Sequence, residues 1–142
     1  IHGLNTTMVQ SNLSFSHKKF TLRGMPYQVG TSAEAKLVRC LQGRIQDVII
    51  DLRLSSPTYC QFLSFDLCNN GTMLYIPEGF AHGFITLEDN TEVFYQVSNY
   101  YQPDMERGIR WNDPFFNLNW SVNSPIVSLK DCGYPDFIPL NQ

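Results

Sequence analysis

The sequence predicts an all-β domain, a sandwich or barrel of short strands. Helical periodicity is scarce, and runs rich in Val, Ile, Phe, Tyr and Thr alternate with clusters of Gly, Pro, Asn and Asp at the spacing such folds use. The 142 residues, 43% of them hydrophobic and 13% aromatic, are enough for one real core and short for two, so residues 1–142 are expected to form a single domain.

The expected strands follow one another along the chain. The first two are TTMVQSNLS (6–14) and FTLRGMPYQV (20–29), the second ending at Gly30. AKLVRCLQ (35–42) and RIQDVIIDLR (44–53) are separated only by Gly43, and Ser55-Ser56-Pro57 closes the latter. CQFLSFDL (60–67) runs into Asn69-Asn70-Gly71, and TMLYI (72–76) into Pro77-Glu78-Gly79. HGFITL (82–87) and EVFYQVSN (92–99) flank Asp89-Asn90. From Gln102 onward a loop-rich tail is expected.

Ten Lys and Arg face thirteen Asp and Glu, a net charge of -3, and no basic run exceeds Lys18-Lys19. A nucleic-acid partner is therefore not expected. No apolar stretch approaches the roughly 18 residues that span a bilayer, and no charged-then-apolar leader is present, so the expectation is a soluble, cytoplasmic protein. Cys40, Cys60, Cys68 and Cys132 form no CxxC pair and are expected to be reduced thiols. Pro77-x-Gly79-x-x-His82 has the spacing of the second motif of cupin barrels, where the histidine often binds a metal. The other imidazoles are His2 and His17, far upstream and without ligand spacing, so neither a metal nor any other cofactor is expected.

Two hairpins are predicted. A tight turn at Gln42-Gly43 would pair Val38 with Asp47 and Lys36 with Ile49, which makes Lys36 and Asp47 diagonal neighbours on one face. A turn at Glu88–Thr91 would pair Phe84 with Tyr95 and His82 with Val97, lining one face with these four residues. The Lys/Asp pair alone reads as a solvent ion pair of little energetic weight, and the His/Tyr pair alone as satisfied core residues. Together they outline a candidate pocket.

The blocks TLRGMPYQ, AKLVRCLQGRIQDVIIDLR, SPTY, YIPEGFAHGF and YYQPDMERGIRWNDP, in that order, resemble the dTDP-4-dehydrorhamnose 3,5-epimerases. The resemblance runs from about Thr7 to Asp131. It implies a dimeric cupin jelly roll, a double-stranded β-helix, that needs no metal and acts on a nucleotide-linked 4-keto-6-deoxyhexose. In that chemistry a C4 ketone acidifies the protons at C3 and C5. A base must take the proton, a cation must hold the enolate oxygen, and an acid must work from the opposite face. Carried over by motif, Lys36 holds the enolate, Asp47 accompanies it, Tyr95 is the opposite acid, His82 belongs to the same constellation, and Asp131 of VSLKD matches the aspartate that orients the base. Gln10 and Asn12 match positions that contact the nucleobase, and Arg23 one that holds the pyrophosphate, a role suited to a forked guanidinium. Gln28 joins them as a substrate-binding candidate.

Three departures stand out. Pro26 occupies the position of the family's histidine base and has neither a titratable group nor a backbone N–H. Phe20 stands where a glycine commonly precedes Arg-Gly, and its ring is expected to reshape the pocket mouth. The family's N-terminal hairpin, which reaches toward the other subunit, would precede Ile1, where this sequence begins, and is expected to be missing either from the protein or only from this stretch of it. Three readings remain open. One is an isomerase of altered regiochemistry and poor 3,5-epimerase activity, with Asp131 as a weak base. A second is a non-catalytic relative that binds nucleotide sugars or serves a structural role. The third is a general carbohydrate-binding jelly roll, against which Gln10, Asn12 and Arg23 argue.

Overall fold

A computed structural model of the chain describes residues 3–140. Its architecture is an all-β sandwich. Strands β1 (Gln10–Ser16), β4 (Lys36–Gln42), β7 (Leu74–Ile76) and β9 (Thr91–Val97) form one sheet in the order β1-β9-β4-β7. Strands β2 (Thr21–Gly24), β5 (Arg44–Asp51), β6 (Phe62–Cys68), β8 (Phe80–Thr86) and β11 (Ile126–Val127) form the other, in the order β11-β2-β8-β5-β6. A short ribbon of β3 (Pro26–Gln28) and β10 (Glu106–Gly108) closes one end, and α1 (Leu129–Cys132) follows β11. The eight expected strands are present with shifted ends, and the 20–29 segment is divided into β2 and β3 at Met25.

Both predicted hairpins are corrected by the ladders. β4 pairs with β7 and β9, whereas β5 pairs with β6 and β8, so Gly43 is a corner between sheets and not a hairpin turn. Gly43 has φ +79, and a Cβ there would collide with Thr91, which explains the residue type. β8 and β9 likewise lie in opposite sheets. Each corner lets the apolar faces of consecutive strands meet across the interior: Val38 and Cys40 of β4 share a core with Ile45 and Ile49 of β5, and Phe84 of β8 packs there with Tyr95 against the cluster. A local turn signal is the same for a hairpin and a corner, and burial of both faces decides between them.

β5 is buried on both sides, which a two-layer sandwich alone does not account for. The outward residues Val48 and Ile50 are covered by the C-terminal tail, where Ile109, Phe116 and Trp120 form a second core with Leu22, Met25 and Ile85. Gln46 ties the tail down. Its amide nitrogen donates to Asn119 O at 2.8 Å and its oxygen accepts from the Ser121 N–H at 2.8 Å. The tail is loop-rich as expected, yet it supplies a core and, through α1, side chains for the site.

Candidate active site

The register of the four-stranded sheet sets out one wall. Gln10, Val97 and Lys36 lie in one cross-strand row, and Asn12, Tyr95 and Val38 in the next. Residues in such rows share a face, and this face looks into the sandwich. The opposite wall comes from β2, β8 and β5. Asp47 is directly across from Phe84 and Ile49 from His82, which makes Asp47 and His82 diagonal neighbours on the inner face. Asp47 Oδ2 and His82 Nε2 are 2.8 Å apart, both side chains are buried, and the second Asp47 oxygen has no hydrogen-bond partner among the described residues.

Two cavities of about 340 and 330 Å³ meet between these walls and share Pro26, Lys36, Tyr95 and Lys130 as lining. The first extends to Gln10, Asn12, Gln28, Glu34 and Glu106, the second to Arg23, His82 and Asp131. The predicted site residues therefore converge, with Asp47 acting from behind through His82. Lys36 and Asp47 do reach the same interior, but from opposite sheets and not as neighbours on a hairpin. The Lys36 ammonium pairs with Glu34 at 3.8 Å. Burial pulls the Lys36 pKa below the usual lysine value, against the opposing pull of Glu34, Asp47 and Glu106. Burial, reinforced by Glu34, pushes the Tyr95 phenol above its ordinary range, while Arg23 acts the other way.

Pro26 costs the ribbon nothing. Met25 and Ile109 exchange both backbone bonds, at 3.0 and 2.9 Å, so Pro26 opposite Gly108 falls in the non-hydrogen-bonded register where an N–H has no ladder role. Gly24 supports the same region. A Cβ on Gly24 would stand 2.7 Å from Gly83 Cα, its partner in β8, so the close crossing of β2 and β8 requires glycine. The Gly24 N–H donates to Asp131 Oδ2 at 3.1 Å, which engages the carboxylate expected to act as a weak base. Arg23 donates to Phe15 O and Ser16 Oγ at 3.2 and 3.3 Å and holds the rim of the second cavity.

The expectation for Phe20 is corrected. Its φ of 65° fits a position that favours glycine, but its ring packs against the tail core and lines neither cavity. Among the described residues no three His, Cys, Asp or Glu side chains cluster as metal ligands, and His2 lies outside them. No described helix is long and apolar enough to cross a membrane.

Sequence reasoning missed Glu34, Glu106 and Lys130. Glu106 and Lys130 pair at 2.9 Å beside Pro26. Both come from the tail, where no strand pattern predicts a facing direction. Glu34 carried a usable signal: it stands two residues before Lys36, and in extended backbone that puts both on one side.

A jelly-roll sandwich enclosing a polar pocket, with a buried lysine, a tyrosine and a carboxylate-backed histidine, defines a cupin of the kind that handles polar ligands inside the barrel. The model of the dTDP-4-dehydrorhamnose 3,5-epimerase family matches residues 1–138. The 3,5-epimerase of Shigella flexneri is 43% identical over 137 residues, which cover 96% of this chain and 75% of the relative. That of Salmonella typhimurium is 44% identical over 135 residues, covering 94% and 73%. The crystal structure of the Bacillus anthracis 3,5-epimerase with TDP and PPi bound superposes with a TM-score of 0.91 at 42% identity, covering 95% of this chain and 78% of that one. The Legionella pneumophila epimerase in complex with dTDP-4-keto-L-rhamnose gives a TM-score of 0.85 at 36% identity, covering 93% and 70%. The chain belongs to the dTDP-4-dehydrorhamnose 3,5-epimerase family, a family of isomerases.

Proposed function

We propose that this protein binds a dTDP-linked 4-keto-6-deoxyhexose in rhamnose-type deoxysugar biosynthesis and moves protons next to its ketone, with double 3,5-epimerisation impaired or redirected by Pro26. The observation that carries this reading is that Lys36 and Tyr95 lie on the wall common to two joined cavities, one bordered by Gln10 and Asn12 and the other by Arg23. The sugar ring would lie at the junction. There the Lys36 ammonium would stabilise the enolate oxygen, in a dry setting where that charge has most effect, and the Tyr95 phenol would return a proton to carbon. Arg23 suits the pyrophosphate and Gln10, Asn12 and Gln28 the nucleoside, as amide and guanidinium donors do. Relatives captured with TDP and with a dTDP-keto sugar support this ligand class. A homodimer working in the cytoplasm, without a metal or other cofactor, completes the reading.

The base is what Pro26 removes. Catalysis by a positioned base contributes about 10²–10⁴-fold, so its loss weighs on every proton abstraction made from that side. A second reading, favoured by Pro26 itself, is a non-catalytic nucleotide-sugar-binding or structural paralogue. Incubation with dTDP-4-keto-6-deoxyglucose in heavy water, with deuterium followed at C3 and C5, separates them. Incorporation at one carbon supports the altered isomerase. Rapid incorporation at both sinks the claim that Pro26 cripples double epimerisation, and none despite measurable dTDP binding favours the paralogue.

A further inference from the structure

Four carboxylates surround the joined cavities, and three of them are closely engaged. Asp47 is hydrogen-bonded to His82 at 2.8 Å, Glu106 is paired with Lys130 at 2.9 Å, and Asp131 accepts the Gly24 N–H at 3.1 Å. Glu34 is held more loosely, 3.8 Å from Lys36 Nζ, with its side chain 12% exposed. Its backbone, by contrast, is tightly fixed. Ala35, fully buried, donates to Ser98 Oγ at 2.8 Å and accepts from the Ser98 N–H at 3.0 Å, and Asn99 holds the Thr31 carbonyl at 2.9 Å. A carboxylate on a rigid support, lining the same cavity as Pro26, is what a proton acceptor needs.

We propose that Glu34 takes the proton from the carbon beside the ketone in this chain, the step for which Pro26 offers no group. The inference rests on the isomerase reading above. A ketone oxygen held by Lys36 brings its neighbouring carbons to the carboxylate that already contacts the same ammonium. One Glu34 oxygen forms an O–H bond as the C–H bond breaks. The C–H electron pair becomes the C=C of the enolate, and the carbonyl π pair moves to the oxygen at Lys36. Tyr95, which rises from the same wall, then returns a proton to the carbon as the enolate collapses; delivery to the face that lost the proton gives exchange without inversion, and delivery to the other face gives the epimer. Exchange with water reprotonates the phenolate and deprotonates Glu34, so nothing is oxidised or reduced. Burial pushes the Glu34 carboxyl upward, opposed by Lys36 and reinforced by Glu106, in the direction that strengthens it as a base.

The test uses the full chain with dTDP-4-keto-6-deoxyglucose in heavy water, recording solvent-deuterium incorporation from pH 4 to 10. The wild-type rate should rise with pH as Glu34 ionises and fall as Lys36 loses its proton. Glu34→Gln should lower incorporation by about 100-fold or more, with dTDP affinity unchanged and the acid limb of the profile gone. Glu34→Asp, which keeps the charge one methylene back, should be slower than wild type with the acid limb retained. A Glu34→Gln variant at the wild-type rate, or one that keeps the acid limb and only shifts the alkaline limb to lower pH, overturns the proposal; the latter would make Glu34 merely the counter-ion of Lys36. So would a Glu34→Asp variant as fast as wild type. In all these outcomes the wild type exchanges and the isomerase reading stands. Wild-type protein that binds dTDP but exchanges at neither carbon overturns both.

Discussion

Pro26 lies in a place where the backbone tolerates it and the chemistry does not obviously do so. Its missing N–H falls in the open register opposite Gly108, while its ring faces the cavities that hold Lys36 and Tyr95. Replacing it should therefore leave the fold intact. Pro26→His is expected to raise solvent-deuterium incorporation from dTDP-4-keto-6-deoxyglucose by about 10²-fold or more, with thermal stability within a few degrees of wild type. No gain with ligand still bound would mean that the missing imidazole is not the main defect. At this scale Lys36, Tyr95, Asp131, Gln10, Asn12 and Arg23 were placed by the family resemblance of the short motifs that carry them. Glu34 was missed, although its two-residue spacing to Lys36 carried a usable signal of its facing direction. That Asp131 is engaged by the Gly24 N–H was not legible, since the two are far apart in sequence.

Among the elements, the end of β5 shows how a strand terminus is secured. Asp51 is buried and accepts from Arg53 Nε at 2.9 Å, from the Arg53 backbone at 3.0 Å, from Ser56 Oγ at 2.6 Å and from Thr58 Oγ1. Burial pushes its carboxyl upward, but the hydrogen bonds from Arg53, Ser56 and Thr58 together outweigh it and hold the group well below the usual carboxylate range. A carboxyl depressed in the folded state contributes stability that is present above its unfolded value and lost as pH falls toward the folded one. Asp51→Asn should therefore destabilise by about 1.5–3 kcal/mol at pH 7, from the loss of charged hydrogen bonds. The gap in urea midpoint between the variant and the wild type should narrow progressively as pH falls from about 4 toward 2. A gap unchanged by acid would point to packing instead. The positions of the strands were readable from runs and breakers, because strand propensity is local. Their partners were not: Gly43 and the Glu88–Thr91 turn fit hairpins and corners equally well, and burial across the interior selects the corner.

At the level of the whole molecule, the tail is part of the scaffold. Trp120 is 8% exposed, packs in the core that covers the outer face of β5, and donates to Trp111 O at 2.9 Å. Trp120→Ala should cost about 3–5 kcal/mol, seen as a lower denaturant midpoint. It should also weaken dTDP binding, because the same tail leads into Lys130 and Asp131. The outer face of the four-stranded sheet is the converse case, with Leu13 65% and Phe15 41% exposed on edge strand β1. If two copies pair through it, light scattering should report a dimer and Leu13→Glu a monomer. A wild-type monomer at micromolar concentration would remove the dimer from the proposed function.

The sequence by itself determined the all-β class, the strand segments, the family resemblance and most of the candidate ligand-facing residues, because alternation, turn chemistry and motif spacing are short-range properties. Tertiary structure alone decided which sheet each strand joins, that Lys36 and Asp47 approach from opposite walls, that Phe20 turns away from the pocket, and that Glu34, Glu106 and Lys130 stand beside Pro26. Those outcomes depend on burying two faces of β5 at once. The second face is covered by Ile109, Phe116 and Trp120, about sixty to seventy positions away along the chain, and no local pattern reports it.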